Sequence, residues 1–181
     1  IKCNDTKFDV LCLTQGGDCD DTTNHNRLNE VTASWESTEI NNVSLFFSPS
    51  RFLKELGDDE WINYIESNYL NKNKYDCICT PSSHFEHRIV CNFGMPLTRV
   101  ESISLVEYYS PSTLHSWVPN TFIDVSKQYE LKLEMLKKFE SQQHRSYFKK
   151  NTIRGFHTNF QCSKKGTQLV EQFNLKQLFI K

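Results

Sequence analysis

The residues best suited to chemistry lie together at Cys77-Ile78-Cys79-Thr80-Pro81-Ser82-Ser83-His84-Phe85-Glu86-His87-Arg88, where a short apolar run gives way to a turn carrying two imidazoles around a carboxylate. A strand that ends in Thr80-Pro81-Ser82 delivers the next residues to the C-terminal edge of a sheet, where open α/β folds bind their ligands. His84 and His87 are three residues apart, so a helix opening at Phe85 turns both rings towards one cavity. One imidazole can then bind a metal ion while the other, paired with Glu86 or a neighbouring acid, acts on a substrate. The H-x-x-H spacing alone is weak, because such pairs arise by chance in many soluble chains.

Other reactive side chains read more plainly. Cys77 and Cys79 alternate along the same strand and so point to one face, where small residues packed in a buried strand are expected rather than a metal or redox pair. Seven cysteines, an odd number without framework spacing, fit reduced thiols in a cytoplasmic setting. His25, His115, His144 and His157 are expected to be exposed or hydrogen-bonded structural residues. Tyr108, Tyr109 and Trp117 could stack on a sugar ring, although packing is the commoner use of such rings.

The elements that must position the turn emerge from patterning. Phe8 to Thr14 and Val43 to Phe47 read as strands, and Leu28, Val31 and Trp35 recur at helical spacing. Asp58-Asp59 can cap a helix with Trp61, Ile62, Ile65 and Tyr69 inward. Tyr75 to Thr80 is the strand before the histidines, and Ile89, Val90, Phe93 and Leu97 mark the helix after them. Further on, Ser102 to Tyr109 and Thr121 to Val125 read as strands, Ser126 as the start of a long amphipathic helix with Tyr129, Leu133 and Leu136 on one side, and residues from Phe148 as irregular until a last strand within Phe173 to Ile180. Alternating strand and helix predicts an α/β class: a Rossmann-like three-layer sandwich, mostly parallel, with helices on both faces.

The totals narrow the function. The chain of 181 residues, 38% hydrophobic and 24% charged, fits one domain over residues 1–181. A formal net charge of -1 gives no general reason to bind nucleic acid, and no apolar run is long enough to span a membrane. Homo-oligomerisation is left open.

The order of short motifs adds a resemblance. Thr80-Pro81-Ser82 followed by His84-Phe85-Glu86-His87 is similar to the second signature of the LmbE-like, or PIG-L, family of zinc-dependent N-acetylglucosaminyl deacetylases, in which T-P-S precedes H-x-D-H. Leu13-Thr14-Gln15-Gly16-Gly17 resembles the family's T-x-G turn and Arg27-Leu28-Asn29-Glu30 its R-x-x-E helix. Asn120 to Ser126 resembles its P-N-x-x-x-D-I-S segment, and Lys132 to Gln142 its K-x-x-A-L-x-x-x-x-S-Q helix. Arg154-Gly155 and Glu171-Gln172-Phe173 also fit.

The resemblance implies Zn2+ as cofactor, His87 as a zinc ligand, His84 as the imidazole that steadies the oxyanion or protonates the leaving amine, and Glu86 in place of the usual Asp as its partner. Arg27 corresponds to an arginine near the substrate pocket. The implied reaction is hydrolysis of the N-acetyl group of an amino sugar or glycoconjugate. The family's first signature, H-P-D-D-E, which supplies further zinc ligands and the general base, has no counterpart here. Asp18-Cys19-Asp20-Asp21 is acidic but lacks a histidine. The expectation is a domain missing its first strand and that motif; the alternative is a relative without zinc that binds sugars or serves in assembly.

Overall fold

The computed structural model describes residues 6–14, 21–38, 40, 42–50, 53–82, 85–99, 102–111, 113–158 and 168–179, and within these the side chains of 21–26, 53, 85 and 86 are not described. The chain divides into two compact units, one of Ile1–Glu55 with Lys127–Gly155, the other of Leu56–Ser126 with Phe156–Lys181.

In the first unit, strands β1 (Phe8–Cys12) and β2 (Val43–Phe47) pair in parallel, Phe8 opposite Val43 and Cys12 opposite Phe47. Helix α1 (Asp21–Glu36) makes the crossover between them, the connection that parallel neighbours require. Ser48 extends the ladder by donating its N–H to Cys12 O at 3.0 Å. Helix α4 (Tyr129–Lys137) packs on α1 and buries Tyr129 and Leu133. Helix α4 is shorter than expected: the Ser126 hydroxyl is engaged elsewhere, and Phe139, at φ -84° and ψ 65°, leaves the helical region. The segment after Phe148, expected to be irregular, forms helix α5 (Lys150–His157), whose Ile153 is buried.

In the second unit, α2 (Asp58–Ile65) turns Trp61 and Ile65 inward. Its cap differs from the expected aspartates: Glu60 reaches back so that Gly57 N–H donates to Glu60 Oε2 at 2.8 Å. Strand β3 (Cys77–Pro81) pairs in parallel with β4 (Ser104–Tyr108) across helix α3 (Phe85–Thr98). Strand β6 (Val170–Gln177) lies antiparallel between β4 and β5 (Thr121–Asp124), giving the order β3-β4-β6-β5. The chain is thus α/β, its crossover-linked strands paired in parallel and its C-terminal strand adding the antiparallel ladders.

Helix α3 comes down on β4 at Gly94, where a Cβ would stand 2.8 Å from Leu105 Cδ1. Phe93, Leu97 and Leu105 fill the surrounding core.

Candidate active site at the C-terminal edge of β3 and β4

Because β3 and β4 run parallel, both release their C-terminal ends at one sheet edge, and the polar residues beyond them meet there. Ser82, directly after β3, is fully buried. Its N–H donates to Tyr108 O at 2.9 Å, and its hydroxyl hydrogen-bonds Thr113 Oγ1. Thr113 Oγ1 also accepts the Ser110 N–H at 2.8 Å and lies 3.4 Å from Ser110 Oγ. Ser110 Oγ in turn reaches His87 Nδ1 at 3.5 Å, a long contact. His87 stands in the first turn of α3, half-buried.

The remaining predicted site residues divide. Glu86 precedes His87 on α3, its side chain among those not described, and His84 lies outside the described residues. Arg27 is on α1 in the other unit, with Nε buried and without a hydrogen-bond partner. One turn on, Glu30 is buried and accepts two hydrogen bonds, from Ser141 N–H at 2.7 Å and Ser141 Oγ at 2.8 Å. The R-x-x-E and S-Q motifs, far apart in sequence, therefore meet.

Behind the edge lies a second polar centre. Glu107 on β4 is buried and accepts from Cys91 Sγ at 3.1 Å and Trp117 Nε1 at 3.1 Å, with Lys176 Nζ at 3.3 Å. Burial first, then the Glu107 carboxylate, pushes the Cys91 thiol up to about 11. Cys91, Glu107 and Lys176 border an open depression of about 390 Å³ with Asn92, Met95 and Leu105. Tyr109 packs between Trp117 and Phe156, with ring centroids 5.8 and 5.9 Å away. His157 is buried 3.6 Å from Glu171, and His115 and His144 are exposed, in line with structural or solvated roles.

The cysteines of β3 correct an expectation. They share a face, as alternation requires, but Cys77 and Cys79 are both exposed instead of packed in a core. Their sulfurs are 4.0 Å apart. The hydrogen bond from Cys79 holds the Cys77 thiol down at about 7, and the same bond raises Cys79.

A catalytic zinc has three protein ligands and an open position. Among the described residues no three His, Cys, Asp or Glu side chains are grouped so as to hold a metal ion. His87 alone does not fit a zinc ion, so any further ligands must come from outside the described residues. None of the described helices is long and apolar enough to cross a membrane.

No family model matches the chain, and no curated protein matches it by sequence. Its architecture does have counterparts among solved structures. The antimicrobial A40926 pseudoaglycone deacetylase Dbv21 aligns with a TM-score of 0.64 at 11% identity, covering 98% of this chain and 88% of that one. The conserved protein TT1542 from Thermus thermophilus aligns with a TM-score of 0.65 at 12% identity over 99% of this chain and 86% of its own. The zinc-inhibited form of teicoplanin deacetylase Orf2 gives 0.64 at 9% identity, over 91% and 85%. At such identities the likeness establishes a shared α/β fold.

Proposed function

We propose that the chain is the α/β scaffold of an amide hydrolase that removes the N-acetyl group from an N-acetylglucosamine-type amino sugar or glycoconjugate. The observation that carries this reading is the position of His87: it stands in the first turn of a helix at the C-terminal edge of two parallel strands, its Nδ1 3.5 Å from Ser110 Oγ. The fold shared with the A40926 pseudoaglycone deacetylase and teicoplanin deacetylase over more than nine-tenths of the chain supports the same reading.

In this proposal His87 is the residue offered to a Zn2+ ion, which when bound supplies Lewis acidity towards an acyl oxygen. His84 is assigned either to steady the acyl oxygen as charge develops there or to protonate the leaving amine, with Glu86 to orient it or balance its charge. Arg27 is assigned to the sugar. Ser110 is a positioning residue that holds His87 in one ring orientation.

The test is release of acetate from N-acetylglucosamine and a glycolipid bearing it, by the purified protein with added Zn2+. His87→Ala is expected to lower turnover at least 100-fold with the fold intact by circular dichroism. Undiminished turnover in that variant rejects the assignment, and sugar binding without turnover in the parent protein favours the non-catalytic alternative.

A further inference from the structure

A second group of reactive side chains, distinct from the histidines, is the pair of exposed thiols on β3. We propose that Cys77 and Cys79 together chelate one soft, thiophilic divalent ion of the Zn2+ or Cd2+ class. The two sulfurs lie 4.0 Å apart on the same face of a strand, and both side chains are exposed. With zinc–sulfur bonds of about 2.3 Å, two thiolates on a tetrahedral ion are about 3.8 Å apart. The pair therefore needs an adjustment of about 0.2 Å, well within side-chain freedom.

A disulfide is the competing use of two neighbouring thiols, and the strand disfavours it. A disulfide requires the sulfurs to close to about 2.0 Å, whereas residues two apart on an extended strand have Cα atoms separated by about 6.4 to 6.8 Å, at the outer limit of disulfide geometry. Strand β4 fixes that spacing by pairing Cys77 with Ser104 and Cys79 with Val106. Ion binding leaves the backbone as it is. Two S–H bonds break, two sulfur–metal bonds form and two protons pass to solvent, so no oxidant is required. Water fills the other coordination positions, so the ion is exchangeable and open to an additional ligand.

The experiment is a titration of the purified full chain with Cd2+ alone, followed by ultraviolet absorption of the metal-bound thiolates. One Cd2+ bound to this pair is expected to account for the whole signal. Cys77→Ser and Cys79→Ser should each weaken binding at least tenfold, whereas His87→Ala should leave it unchanged, which separates this site from the proposed hydrolase centre. An equal signal in the Cys77→Ser/Cys79→Ser double variant overturns the proposal, as does full affinity in either single variant. Alkylation of the unmodified chain gives a measurement independent of variants: Cd2+ should protect Cys77 and Cys79 together, and unaltered labelling of both also overturns it.

Discussion

At the scale of single residues, the buried polar side chains of this chain find their partners in distant parts of the sequence. His87 was legible as a candidate from its neighbours, but Ser110, whose Oγ lies 3.5 Å from its Nδ1, and Thr113, which binds Ser110, were not, because hydroxyl residues in a loop carry no periodic signal. Glu107 was hidden in the same way: a lone carboxylate inside an apolar strand does not show that Trp117, Cys91 and Lys176 compensate its burial. The cysteine pair yields a direct prediction. With the Cys77 thiol held near 7, its alkylation rate should fall as pH drops through 7, since the reactive thiolate is lost below that point. Cys79→Ala removes the donor and should move the midpoint upwards, towards the ordinary value of 9.0. A pH profile of iodoacetamide labelling read by mass spectrometry checks both, and an unmoved midpoint shows that the Cys79 thiol is not the cause.

At the scale of elements, the contact of α3 with β4 makes its own prediction. Gly94→Ala improves helix propensity by about 1 kcal/mol, but the new methyl must displace Leu105 from a filled core, at about 1 to 3 kcal/mol. The crowding contribution is the larger, so Gly94→Ala should lower stability by about 1 kcal/mol in urea denaturation. In a Leu105→Ala background the space is open, and the same change should become neutral or stabilising. Equal effects in both backgrounds contradict this account.

The elements also show where sequence patterning succeeds and stops. The apolar run Val43 to Phe47 is strand β2 to the residue, because strand ends followed by Ser-Pro-Ser leave little choice. The start of α4 differs from expectation because Ser126 looks like a helix cap but belongs to a turn. Its N–H and hydroxyl donate to Asp124 Oδ1 at 2.9 and 2.6 Å, and its oxygen accepts Leu169 N–H at 2.9 Å. Asn120 does similar work further along: Oδ1 accepts Leu175 N–H at 2.8 Å and Nδ2 donates to Leu175 O at 3.1 Å, in the manner of a strand backbone. The motif Asn120 to Ser126 is therefore, in the described residues, a clasp between β5 and β6. Helix α5 has no clear sequence signal because Thr152, Ile153 and Gly155 are poor helix formers, and only the burial of Ile153 reveals what holds it.

At the scale of the molecule, the chain closes its larger sheet with its last strand. β6 bonds to β4 on one side and β5 on the other, so β5 has no strand partner among the described residues except β6. The partners Val106 and Leu175, or Phe122 and Gln172, are separated by long stretches of sequence, so closing those loops costs chain entropy that the ladders must offset. Removing residues 168–181 deletes the strand, the Asn120 and Ser126 clasps, and the buried side chains Leu169 and Val170. Each buried apolar side chain contributes about 1.5 to 3 kcal/mol, and two of them with the lost ladders rival the whole stability of a domain. The truncated chain should therefore lose the slow-exchanging amides of Val106, Glu107 and Tyr108 on β4 and of Thr121 to Ile123 on β5. Hydrogen exchange read by mass spectrometry decides it: protection in β4 and β5 that survives the truncation means that the sheet is held by something other than its C-terminal strand.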